Sequence, residues 1–185
     1  MDIIEQIRDF VEEECKKPTS KYGYDPYLFH FIPMVNYAEK LTDKLEGDKE
    51  IILISAWLHD IGSIIYGREN HHETGAKIAE EKLKELNYPQ EKINLVKKCI
   101  LNHRGSREDF RESLEEKIIA EADAISNFDN ITGIFGAAFL FENKNQKEAK
   151  ESAKQKLERK WNQIHFEESK ELVLPKYEAA MLLLS

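Results

Sequence analysis

The chain has 185 residues, 41% of them apolar, which is enough for one domain with its own core. Its formal net charge of −8 sets the whole-protein field against DNA, RNA and acidic membranes, yet leaves room for a local basic pocket for a small phosphate. Cys15 and Cys99 lie too far apart in sequence for a paired-thiolate motif, the N-terminal stretch is acidic, and no apolar run approaches the ~20 residues of a membrane span, so a soluble cytoplasmic protein is expected.

In chain order, Ile3, Ile4, Ile7, Phe10 and Val11 recur at helical spacing and predict a first amphipathic helix. The stretch from Lys16 to Pro26 breaks it, and Asp25 followed by Pro26 reads as a cap and first helical residue. His30, Val35, Ala38 and Leu41 line one side of the next segment. Pro33 lies inside that segment and lacks an N–H, so the backbone around His30 should be irregular. Asp48 opens a third segment in which Ile51 to Leu58 is apolar nearly all round. A buried strand is the rival reading for so short a run, but the periodicity of its neighbours favours a central helix.

Asn70 with Glu73 fits a capping box before a fourth helix through Ala76, Ala79, Leu83 and Leu86. Pro89 restarts the chain, and Ile93, Val96, Ile100 and His103 follow at spacings of three and four until Gly105. Ser113 with Glu116 is a second capping box, opening a helix with Ile118, Ile119, Ala122, Asp123 and Ile125. Gly133 to Phe141 reads as a buried apolar segment. Lys147 to His165 reads as a long charged helix with Leu157, Trp161 and Ile164 inside, and a short helix from Pro175 closes the chain. Nothing alternates with period two, so the fold class expected is all-α.

Several ionisable groups interrupt these apolar faces. His30 shares a face with Val35 and Ala38. His59 and Asp60 end the buried helix. His72 opens a helix lined by Ala76 and Ala79, His103 takes the next apolar position after Ile100, and Asp123 follows Ala122. Any one of them has a bland explanation, such as a core histidine bonded to a carbonyl or a C-terminal cap. His71 and His165 fit that explanation and are set aside. Jointly, burying unpaired charges costs several kcal/mol, and a divalent cation compensates by taking neutral imidazoles and ionised carboxylates. Nitrogen and oxygen donors without thiolate suit Mn, Fe, Ni, Co, Zn or, less well, Mg.

The segments "HFIPMVNYA", "ISAWLHDIG" and "IIAEADAIS" together resemble the HD-domain metal-dependent phosphohydrolase superfamily, whose signature is an early His, a His-Asp pair ending a buried helix, and a later Asp. The resemblance implies a single-domain all-α bundle over 1–185, with an HD core at about 25–141 and C-terminal helices 147–185 packed on it. It implies a first metal site of His30, His59, Asp60 and Asp123. It gives His72 and His103 to a second metal or a substrate phosphate, and Asp60 the catalytic place beside an activated water. Arg104 is a candidate phosphate clamp. The chain lacks a Gly-Tyr-Pro motif after His103, which argues against cyclic dinucleotides. The expected activity is hydrolysis of a small phosphate ester or anhydride, a nucleotide among the candidates, with one or two divalent ions. The expected partner is a small molecule rather than a membrane or nucleic-acid polymer, and a homo-oligomer is compatible. The alternatives are an idle metal- or nucleotide-binding module and a di-iron oxygenase on the same scaffold.

Overall fold

The computed structural model describes residues 2–185. Among them the regular structure is all helical, as the sequence predicts: ten α-helices, one π-helical turn and two 3-10 turns. Among the described residues no single helix is long and apolar enough to cross a membrane.

Helix α1 (Ile3–Lys16) is closed at its start by a reciprocal box between Asp2 and Glu5 and buries Ile7, Val11 and Cys15. A π-helical turn (Tyr27–Phe31) carries His30 and leads directly into α2 (Ile32–Leu45). Pro33 is the reason for the wide turn. It cannot donate to a carbonyl four residues back, and Ile32 N–H instead reaches the Tyr27 carbonyl five residues back. The irregular backbone expected at His30 is therefore this π turn. Asp25 does not act as the cap, since it is already helical.

Helix α3 (Lys49–Leu58) begins where the Asp48 carboxylate accepts from Glu50 N and Ile51 N, both at 3.1 Å. Every residue from Ile51 to Leu58 is buried, because α1, α2, α6 (Gln90–Asn102) and α7 (Leu114–Ser126) pack around it. Each large aliphatic chain so buried stabilises the fold by about 1.5–3 kcal/mol. That burial fixes the end of α3, and hence His59, as a rigid point.

After the His59–Asp60 corner the chain turns into a short helix, α4 (Ile61–Tyr66), and then α5 (His71–Glu85). Gly62 lets these two meet. A Cβ there would lie 2.5 Å from Thr74 Oγ1 and 2.7 Å from Gly75 N, and closer still to the His71 carbonyl oxygen. The capping box expected from Asn70 and Glu73 does not form. Asn70 adopts a left-handed conformation (φ 48°) with no side-chain cap. The box at Ser113 and Glu116 does form and starts α7.

Helices α8 (Ile131–Leu140), α9 (Gln146–Trp161) and α10 (Glu167–Leu183) follow. Three expectations fail here. Helix α9 ends at Trp161, short of His165. Only Ile134 and Ala138 of α8 are buried, while Phe139, Leu140 and Phe141 are exposed. And α10 starts at Glu167, running through Pro175 rather than from it. Buried Glu121 explains the earlier start: its Oε1 accepts from His165 N (2.7 Å) and Phe166 N (2.9 Å), which ties the α9–α10 corner to α7.

The close approach at Gly62 is testable. Gly62→Ala is expected to lose about 1–3 kcal/mol of stability in urea unfolding through overpacking. Gly136→Ala, where a Cβ meets nothing within 4 Å, is expected to be neutral or to gain about 0.5–1 kcal/mol. Equal effects from the two would contradict the packing described.

Candidate metal centre

Five elements deliver the polar groups: the π turn (His30), the α3–α4 corner (His59, Asp60), the start of α5 (His71), the end of α6 (His103) and α7 (Asp123). His59, His71, His103 and Asp123 are buried.

The groups form two clusters that share Asp60. In the first, His30 Nε2 lies 3.0 Å from His59 Nε2, and each faces Asp60 Oδ2, at 3.4 and 3.8 Å. Asp123 Oδ1 completes this side, 3.7 Å from His30 Nε2 and 4.0 Å from His59 Nε2. In the second, His71 Nε2 and His103 Nε2 are 3.3 Å apart and face the other Asp60 oxygen, Oδ1, at 3.2 and 3.6 Å.

The outer nitrogens determine what the inner ones present. His59 Nδ1–H donates to Ala56 O (2.8 Å), His71 Nδ1–H to Arg68 O (2.8 Å) and His103 Nδ1–H to Ile100 O (2.6 Å). A carbonyl only accepts, so the proton of each neutral ring sits on Nδ1 and Nε2 carries a lone pair. His30 follows suit. Ser126 donates its hydroxyl proton to Asp123 O (2.9 Å), which leaves Ser126 Oγ to accept from His30 Nδ1–H at 3.4 Å. Four lone pairs are thus aimed at one another and at a carboxylate. Without a positive charge between them that arrangement is repulsive. With divalent cations it is the ordinary outer support of histidine ligands.

Asp60 fits the same reading. It occupies the N-cap of α4, where an Asp side chain normally accepts from the first helical N–H groups. Its carboxylate makes no such bond and turns into the cluster instead. Its Oδ1 is buried with no regular hydrogen bond. Burial alone would raise the pKa of this carboxyl, but the positive charge that His59, His103 and His30 carry when protonated outweighs it and holds it well below the usual carboxylate range. Asp123 is likewise held low against burial by Lys160, His30 and His59. Burial pushes His59 down to about 4, so its ring is neutral near pH 7. Ionised carboxylates and neutral imidazoles are the ligand states a divalent cation requires.

His72 and Arg104 stand apart from both clusters. Arg104 Nη1 donates to His72 Nδ1 at 3.4 Å, so the proton of the neutral His72 ring sits on Nε2. Burial and the Arg104 charge lower the His72 pKa. His72 is therefore a hydrogen-bond donor, the opposite of the four rings that present lone pairs. The sequence reading named His72 and set His71 aside, whereas the structure brings His71 to Asp60. The two are adjacent at the first turn of α5, and helical phase that the sequence does not reveal decides between them.

Sequence reasoning also missed Lys160. Its Nζ lies 2.7 Å from Asp123 Oδ2, so that oxygen is held while Oδ1 faces the histidines. Lys160 sits on a helix dense in lysine and glutamate, where nothing local marks it; only the Glu121 anchor of the α9–α10 corner, two residues before Asp123, explains its placement.

Residues 27–127 match the protein family described as "HD domain". An uncharacterized protein of Clostridium beijerinckii is 37% identical over 84 residues, 43% of this chain and 54% of that protein. A tRNA (cytidine(56)-2'-O)-methyltransferase of Picrophilus torridus is 25% identical over 153 residues, 75% of this chain and 42% of that protein. The chain thus spans about half the length of the curated relatives it matches. Bacillus subtilis YpgQ, crystallised in complex with ADP, superimposes with a TM-score of 0.70 at 20% identity, covering 97% of this chain and 92% of that one. A predicted HD superfamily hydrolase from an uncultured Thermotogales bacterium gives 0.56 at 21% identity, covering 85% and 87%. At these identities the likeness to both structures is one of fold.

Two outcomes test the ligand assignment. His71→Ala should reduce the number of Mn²⁺ ions bound per chain in metal analysis, whereas His72→Ala should leave it unchanged. Saturating Mn²⁺, at ~100 times its dissociation constant, should stabilise the wild-type chain by about 2.7 kcal/mol for each ion bound in thermal or urea unfolding, and should not stabilise Asp60→Ala.

Proposed function

The chain belongs to the HD-domain family, and from that premise we propose that it is a metal-dependent phosphohydrolase that splits a P–O bond of a small phosphate ester or anhydride with water. The observation that carries this reading is Asp60, whose two carboxylate oxygens each face a separate pair of lone-pair-bearing histidine nitrogens. His30, His59, Asp60 and Asp123 would hold one divalent ion, and His71 and His103 with Asp60 a second.

A bound divalent cation supplies Lewis-acid polarisation of a phosphoryl oxygen and lowers the pKa of water toward neutrality. The chain's own residues supply the rest. Asp60, as an ionised carboxylate, is placed to orient a water and take its hydrogen bond. His72 offers Nε2–H, and Arg104 its remaining guanidinium N–H groups, to phosphoryl oxygens at the rim. The wholly buried ring of His59 and the apolar end of α3 beneath it exclude bulk water from one side of the site, which strengthens each of these electrostatic contacts. The ADP bound by YpgQ supports a nucleotide as the form of phosphate compound recognised.

The six-residue donor set also suits a pair of iron ions, which keeps a di-iron oxygenase as the second reading. Oxygen uptake by the iron-loaded protein with a bound organic substrate would favour it.

Full-length protein loaded with Mn²⁺, Co²⁺ or Ni²⁺ should release orthophosphate or pyrophosphate from members of a panel of phosphate esters and nucleotides. Asp60→Ala should lose more than about a hundredfold in rate, since even the outer partners of a ligand cost 10–100-fold. A panel in which the wild type never exceeds Asp60→Ala, whichever metal is loaded, contradicts the hydrolase reading and favours an idle binding module.

A further inference from the structure

The end of α6 has to be held by something other than α6. Asn102 is its last residue and His103 its C-cap, so the carbonyls from there on lie beyond the helix's own N–H groups. Arg111, half-buried, takes them. Its Nε donates to Asn102 O (2.9 Å), and its Nη2 donates to Arg104 O (2.8 Å) and, at 3.4 Å, to His103 O. The chain leaves the site at Arg104, makes the 3-10 turn Gly105–Phe110, and is then fastened by Arg111 to the point it left.

One guanidinium thus grips three successive carbonyls, and the middle one belongs to His103. A planar fork sets direction as well as distance, which a single ammonium does not. Its positive charge also suits the negative end of the α6 dipole. Asn102 adds a second grip, because its Nδ2 donates to Phe110 O (3.2 Å) and to Glu116 Oε1 (2.6 Å). Between these holds, the His103 ring keeps Nε2 at 3.3 Å from His71 Nε2 and 3.6 Å from Asp60 Oδ1. Like lone pairs that close would push the ring aside if its backbone were free. The residues of the first cluster sit on the π turn, the α3–α4 corner and α7, and none of the three Arg111 bonds goes to them.

We propose that Arg111 is a positioning residue for the second ion alone: by fixing the backbone of Asn102, His103 and Arg104 it sets the aim of His103 Nε2 at Asp60. This rests on the two-ion arrangement proposed above, and not on the phosphate chemistry. Arg111 touches neither ion nor substrate. It acts through His103, and its removal should loosen one ion while the other stays.

The test is Mn²⁺ binding to the full-length protein by calorimetry, with the second ion identified as the one that His103→Ala abolishes. Arg111→Met should weaken that ion about 10–100-fold, as loss of a ligand's outer partner does, and leave the first ion's affinity unchanged. Arg111→Lys, which keeps the charge without the fork, should fall between wild type and Arg111→Met. Arg107→Met removes an arginine of the same turn that stacks on Phe110 (4.1 Å), and should bind both ions as wild type does. A merely structural role predicts a lower melting temperature with the two affinities moved together or not at all. Wild-type affinity for the second ion in every Arg111 variant that folds, an equal loss at both ions, or a wild-type chain that binds one ion only overturns the proposal. If Arg111→Met does not fold, Arg111→Lys decides by the same criteria. Should no phosphate compound be turned over while Arg111-dependent binding of the second ion persists, the hydrolase reading fails and the positioning role stands.

Discussion

The organisation of this protein depends on one carboxylate placed between two pairs of imidazole lone pairs. Asp60 sits where it would ordinarily cap α4, and its side chain forgoes that role to face His30 and His59 with one oxygen and His71 and His103 with the other. Each histidine gives its Nδ1 proton to an acceptor outside the cluster, so no proton is left to relieve the crowding of nitrogens within it. Such an arrangement is costly in an empty site and favourable around cations. The energetics and the proposed chemistry therefore meet at the same atoms.

Most of the fold serves to hold those atoms still. The apolar burial of α3 fixes the corner that bears His59 and Asp60. Pro33 forces the π turn that aims His30 at that corner. Gly62 allows α4 and α5 to touch backbone to backbone, which brings His71 within reach of Asp60. Glu121 fastens the α9–α10 corner to α7, and through it Lys160 reaches Asp123. Each device acts by removing a degree of freedom from one ligand or its partner. Rigid support of this kind is what lets a cluster of like donors persist against its own repulsion.

What could be read from the sequence follows from what is local. The His59–Asp60 pair at the end of an all-round apolar run, the disturbance at Pro33 and the Ser113–Glu116 box each depend on a few neighbouring residues, and all were legible. The choice between His71 and His72 was not. It turns on where α5 begins, which is set by a left-handed Asn70 and by the contact with Gly62, a partner from another helix. Lys160 was hidden for a different reason: among so many lysines and glutamates, charge alone does not separate a site residue from a solvated face. The apolar face of α8 misled in the opposite direction, because composition cannot show whether a helix finds a partner to cover it.

The most direct measurement is anomalous diffraction from crystals of the Mn²⁺-loaded protein. The account predicts metal density at ligand distance from Nε2 of His30 and His59 and from Asp60 and Asp123, with a second peak at Nε2 of His71 and His103 sharing Asp60. Density bound by His72 or by an Nδ1 atom, or none within this set of side chains, would contradict it.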